Sequence, residues 1–184
     1  EATVNDLHVE MAPANQAGLD MQVGGAISGL EVSGTGSATS SALRTHRNVQ
    51  ASDVTISSAT QQGVMVESQT ATFTDLDVSG STVRMVYSYG TFNVDGARFH
   101  DPASEAVYGV ITEGSGTQAT VRRARISGVF RPVTAAFSGA ATVTDSLIAL
   151  PATPGEALLA TDFDNPSLNK TTIAGERLTI VGTG

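Results

Sequence analysis

The chain has 184 residues, enough for one domain with a sizeable core, and is 40% hydrophobic but only 5% aromatic, with no tryptophan. Its formal charge of −8, with Lys170 the only lysine, argues against non-specific binding to nucleic acid or to an anionic membrane surface, since both draw on clustered Lys and Arg. With no cysteine there is neither a disulfide framework nor a thiolate metal site, and no apolar run approaches the roughly 20 residues of a membrane span.

One motif recurs along the chain. It is written ATVNDLHV at Ala2–Val9, GAISGLEV at Gly25–Val32, VQASDVTI at Val49–Ile56 and ATFTDLDV at Ala71–Val78. Further copies stand at Ala119–Ile126 (ATVRRARI) and Ala141–Ile148 (ATVTDSLI). The last apolar residues of successive units are Val9, Val32, Ile56, Val78, Phe99, Ile126, Ile148 and Ile180, spaced 23, 24, 22, 21, 27, 22 and 32 residues apart. Around these anchors the columns are regular. Two and five residues earlier the positions are mostly apolar (Leu76 and Phe73 in the fourth unit), whereas three earlier stand Asp6, Gly29, Asp53, Asp75, Gly96, Arg123, Asp145 and Arg177. Strict alternation would place the second, fourth and sixth residues of a strand on one face. The inward set jumps instead from five before the anchor to two before it, so a bend is expected three before it. Gly tolerates positive φ, and Asp bonds its own local backbone in turns, so both suit that corner.

Each anchor leads through a polar loop to a second apolar segment: Gly18–Val23, Ser41–His46, Gly63–Ser68, Val83–Ser88, Ala106–Thr112, Val133–Ser138 and Glu156–Thr161. No segment keeps a 3.6-residue period for three turns, and glycine interrupts every helical candidate. A strand–turn unit of about two dozen residues cannot bury its apolar face alone and must stack on copies of itself. The expectation is an all-β parallel β-helix of about eight coils, with three short strands per coil. Residues 1–184 are expected to form one such domain, which is a segment of a longer polypeptide or has ends that meet other subunits.

The V-x-D-L-x-V unit at Val4–Val9, Phe73–Val78 and Val143–Ile148 resembles the right-handed, single-stranded parallel β-helix of the pectate-lyase-like superfamily. That resemblance implies the handedness, which the columns themselves do not give. The superfamily includes polysaccharide lyases, glycosidases, epimerases, phage tailspikes and adhesins, so the resemblance bears on fold more than on activity.

The surface residues give the candidates for function. The outward positions of the second segments are expected to be Asp20 and Gln22, Arg44 and His46, Met65 and Glu67, Arg84 and Val86, Tyr108 and Val110. A lyase needs a base and a cation to neutralise a uronate carboxylate, and Arg44, His46, Glu67 and Arg84 are the candidates, with Asp20 and Tyr108 as binding residues. Arg122, Arg123, Arg125 and Arg131 stand out in an acidic chain, and of these Arg123 and Arg125 are candidates for an anion patch through guanidinium geometry. The alternative is a solvated face balancing Asp95, Asp101 and Asp145. A hydrolase needs two carboxylates flanking the scissile bond, and no convincing pair emerges. Asp75 belongs to the bend, and Asp77 falls in an exposed column beside Arg98, where an ion pair contributes only a few tenths of a kcal/mol. Asp162 and Asp164 invite a calcium site, but Pro166 follows and neither loop glycine nor bidentate glutamate completes it. His8, His46 and His100 fall in different columns, so no metal and no cofactor is expected.

The leading expectation is therefore a non-catalytic, extracellular or cell-surface segment: a spacer, adhesin or fibre part, with polysaccharide or other surface proteins as partners. Behind it stand a polysaccharide lyase acting on acidic glycans and a phage or secretion-system fibre protein. End-to-end or trimeric self-association belongs with these readings, nucleic-acid binding and membrane insertion do not.

Overall fold

A computed structural model describes residues 1–104 and 107–149 in full, and beyond them the backbone of strands Leu158–Thr161, Thr172–Glu176 and Thr179–Val181. The strands are numbered in chain order. Those built on the repeated motif are β1 (Ala2–Met11), β3 (Gly25–Thr35), β5 (Val49–Ala59), β7 (Thr70–Ser79), β9 (Thr91–Phe99), β11 (Gln118–Ser127), β13 (Ala140–Thr144), β14 (Leu147–Ala149), β16 (Thr172–Glu176) and β17 (Thr179–Val181). The second segments give β2 (Ala17–Met21), β4 (Ser41–Thr45), β6 (Gln62–Val66), β8 (Arg84–Ser88), β10 (Tyr108–Glu113), β12 (Arg131–Ala136) and β15 (Leu158–Thr161). Each set forms its own sheet, in the order β1-β3-β5-β7-β9-β11-β13-β16 and β2-β4-β6-β8-β10-β12-β15. All pairs are parallel and join equivalent residues of successive units. The chain is an all-β parallel solenoid of about six turns.

Two strands rather than three are visible in each turn. The two legs of the motif run on as one strand because a single residue absorbs the bend. Asp6, Gly29, Asp53, Asp75, Gly96, Arg123 and Asp145 all have φ between +48° and +80°. The ladder skips that residue alone: Asn5 pairs Ser28 and Leu7 pairs Leu30, with Asp6 and Gly29 between them. In the unit at Asp145 the legs separate, into β13 and β14. Arg123 adopts the same geometry as the Asp and Gly residues of its column, so the column holds even where the residue type departs from it. Glycine has a second use there. A Cβ at position 29 would meet Asp6 Oδ1 at 2.5 Å, and one at position 96 would meet Asp75 Oδ1 at the same distance.

The core follows the sequence columns. Val32, Ile56, Val78, Phe99, Ile126 and Ile148 are wholly buried, as are Leu43, Val64, Val86, Val110 and Val133 from the facing sheet. Full burial of one such side chain stabilises the fold by about 1.5–3 kcal/mol. The sheets approach closely enough that a Cβ on Gly18 would sit 2.8 Å from Val32 Cγ1, which explains the small residue there. Phe73 and Phe92 pack as a tilted pair, 5.6 Å between centroids. Ser146 is the polar member of an otherwise apolar column. Its hydroxyl donates to the Thr144 carbonyl (2.8 Å) and accepts from Ala124 N–H (3.1 Å), so its burial leaves no group unpaired.

The step between Phe99 and Ile126 is longer than its neighbours. Tyr108 pairs with Arg84, and the extra residues divide between the corner before β10 and the corner after it. The insertion at Asp162–Lys170, with Asp162 and Asp164, lies outside the described residues.

The bend column makes a stability prediction. Valine is β-branched and strongly disfavoured at positive φ, so Asp53→Val should destabilise the protein by about 1–2 kcal/mol, whereas Asp53→Gly should be nearly neutral. Urea unfolding of the two variants checks it, the valine variant alone having a lowered midpoint.

Candidate functional site

Two outward regions gather side chains capable of recognition. The first is the outer face of the second sheet. Its register runs Asp20–Arg44–Met65–Tyr87–Ile111 in one row. One step beyond the Met21–Thr45–Val66–Ser88–Thr112 rungs lies a second row, Gln22–His46–Glu67–Tyr89–Glu113. The sequence pattern places Arg84 with Val86, and Tyr108 with Val110, in these rows. The structure corrects that. Val86 and Val110 continue the buried rung of Leu43 and Val64, and Arg84 and Tyr108 fall in a separate row with Ser41, Gln62 and Arg131, of which Ser41 and Gln62 are buried. An odd-numbered slip exchanges faces in a strand, and both segments stand three residues out of register, since Tyr87 and Ile111, not Arg84 and Tyr108, continue the row of Met65.

The corrected rows bring Tyr87, Tyr89 and Glu113 into the site. The Tyr87 hydroxyl contacts both the Tyr89 hydroxyl (2.5 Å) and the Glu113 carboxylate. The two rings lie 4.6 Å apart, and the Arg84 guanidinium covers Tyr87 at 4.1 Å from its centroid. Tyr87 is buried, but Tyr89 is 42% exposed. Arg84 forms no ion pair with any described residue, and its Nε is buried without a hydrogen-bond partner among them. Burial, followed by the hydrogen bond to Glu113, pushes the Tyr87 phenol well above the ordinary tyrosine range.

The remaining sequence candidates are engaged with one another. His46 Nε2 lies 2.9 Å from Asp20 Oδ1, and Gln22 Nε2 donates to Asp20 Oδ2 at 2.6 Å. Arg44 Nε is 3.7 Å from Glu67 Oε1. Tyr108 accepts a hydrogen bond from Arg131 Nη1 at 3.0 Å. The structure thus brings Asp20, Arg44, His46 and Glu67 together on one face, with Arg84 and Tyr108 a row aside.

The second region follows from the bend. Two consecutive residues, three and four before the anchor, face outward there, and the kinked sheet leaves an open groove of about 1080 Å³ along the outside. It is lined by Asp53, Asp75, Asp77, Arg98, Arg123 and Arg125, among others. The column one before the anchor pairs rung by rung as His8–Glu31–Thr55–Asp77–Arg98–Arg125–Leu147. His8 and Glu31 are 3.2 Å apart, and Arg98 and Asp77 3.5 Å, the neighbour relation read from the sequence. His100 Nε2 lies 2.8 Å from Asp77 Oδ1, and its Nδ1 lies 2.7 Å from Asp101 Oδ2. Beside the groove, Asp95 engages Arg123 at 2.5 Å and Arg122 at 3.8 Å. The Arg123 hydrogen bond holds the Asp95 carboxyl below the usual carboxylate range. Two members of the arginine cluster thus balance a local acid.

Among the described residues no group of three or more metal-ligating side chains is arranged to hold an ion. No family model, curated protein or solved structure matches the chain.

The tyrosine cluster has a pH signature. The folded Tyr87 keeps its proton where an unfolded tyrosine, with a pKa near 10, releases it. Unfolding therefore releases a proton above that pH, and stability is full below about pH 10 and falls as pH rises beyond it. Alkaline absorbance titration should show one of the three tyrosines titrating only upon unfolding. In Tyr87→Phe that late component should disappear.

Proposed function

We propose that this chain is a non-catalytic binding segment of an extracellular or cell-surface β-helix, coiled right-handed as in the pectate-lyase-like superfamily, whose second-sheet face holds an acidic glycan. The observation that carries this reading is the Arg84–Tyr87–Tyr89 cluster. A guanidinium without an acid partner among the described residues stacks on one tyrosine and adjoins a second, exposed ring. An exposed aromatic ring offers an apolar surface to the face of a sugar, and a guanidinium fork matches a carboxylate. Row by row, Glu67, His46 and Gln22 extend the strip along the solenoid with groups that donate to and accept from hydroxyls. A linear polymer lying along the axis fits such rows, which suits an adhesin or fibre part.

Elimination chemistry is a poorer match. His46, the candidate base, is held by Asp20, and Arg44 is held by Glu67. Arg84 stands in the neighbouring row rather than beside them.

Calorimetric titration with polygalacturonate and alginate tests the proposal. Binding is expected, with Tyr89→Ala weakening it by about 1.4 kcal/mol, roughly tenfold. Absence of binding to either polymer, or Tyr89→Ala binding unchanged, rejects the glycan face. Appearance of unsaturated product absorbance during the same incubation rejects the non-catalytic reading in favour of a lyase. A stable trimer in light scattering would move the assignment to a tail-fibre protein.

A further inference from the structure

The groove on the first sheet carries a charge arrangement that the glycan-binding face does not use. In the row His8–Glu31–Thr55–Asp77–Arg98–Arg125–Leu147, the ionisable neighbours His8 and Glu31, and Asp77 and Arg98, make ion pairs. Arg98 and Arg125 are the exception. They occupy the same place on adjacent rungs, about 4.8 Å apart by the strand spacing, and both point out of the sheet into the groove. Like charges directly opposite one another on neighbouring strands are destabilising. Asp77 relieves Arg98 from the far side and is shared with His100. Arg125 has Leu147 on its other rung and makes no ion pair or hydrogen bond with any described residue. Arg123, two residues earlier on its own strand, is occupied by Asp95.

We propose that Arg98 and Arg125 form a site for a tetrahedral oxyanion, the phosphate or sulfate monoester of a small molecule or glycan. Two guanidinium forks on adjacent rungs present more donors than the two oxygens of a carboxylate use. The three terminal oxygens of a phosphate or sulfate ester can engage both forks at once. The buried Ala97 and Ala124 form the floor between them, and the groove is open for the rest of the ligand. Asp77 beyond Arg98 and Asp145 beside Arg123 bracket the site with negative charge, so the anion is confined to the gap between the two arginines. Binding also removes the mutual repulsion that the empty site carries.

Glucose 6-phosphate, glucose 6-sulfate and glucuronate, titrated calorimetrically at millimolar concentration and constant ionic strength, test the assignment. Either or both esters should bind, and glucuronate should bind at least tenfold more weakly. Arg125→Gln should reduce ester binding at least tenfold, while Arg122→Gln, outside the groove, should leave it unchanged. Without ligand, Arg125→Gln should melt at a higher temperature than the parent, since it relieves the like-charge rung. Binding of neither ester, equal binding of glucuronate, full retention by Arg125→Gln, or a lowered melting temperature in that variant each overturns the proposal. The Tyr89→Ala variant should bind the esters normally, which separates this site from the glycan face.

Discussion

A left-handed residue once per coil reverses the in–out alternation of the first sheet and lets one strand turn a corner without losing its neighbours. The rung on either side of the bend remains hydrogen-bonded, and only the bend residue drops out of the ladder. Two consecutive side chains then face outward, and the outer surface becomes concave along the stack. The groove, the mixed column of Asp77, Arg98 and Arg125, and the Asp95–Arg123 pair are all consequences of that backbone choice. An ordinary strand at the same place would send Asp75 and Asp77 outward with Phe73 and leave Leu76 on the opposite face, so the column could not stay as it is.

The same constraint explains which residues are free to vary. Inside, rungs stay apolar while their sizes trade off, as where Ala51 pairs Phe73 and Leu76 pairs Ala97, and anchors alternate among Val, Ile and Phe without leaving the core. Outside, a rung answers only to its two neighbours and to solvent. Charge can therefore change from coil to coil, from Glu31 to Thr55 to Asp77 to Arg98, with no cost to packing.

Much of this could be read from the sequence because the first-sheet motif contains its own ruler. A fixed jump from Phe73 to Leu76 to Val78, copied in each unit, sets the register, and the rung partners in β1 to β11 follow it residue for residue. Arg123 occupies the bend against its residue type because the neighbouring rungs, Ala97–Ala124 and Val94–Val121, dictate the backbone there. The second sheet has no such internal mark. Its segments are short and apolar on consecutive positions: Met85 and Val86 are both wholly buried, as are Ala42 and Leu43. Alternation therefore breaks, and a period-two reading lands three residues away, on the opposite face. That slip hid Tyr87, Tyr89 and Glu113. The signal capable of finding them was the continuing apolar rung of Leu43, Val64, Val86 and Val110, which fixes the neighbours on either side.

The parallel register has an evolutionary consequence. Because every outward row is built from single positions in separate coils, insertion of a whole coil lengthens a row by one rung and leaves every existing pair at its old spacing. Insertion of a single residue inside a strand turns that rung inside out. Binding strips on this scaffold can thus grow or shrink in discrete steps by duplication and deletion of coils. The recognition chemistry of a strip and its length are inherited separately.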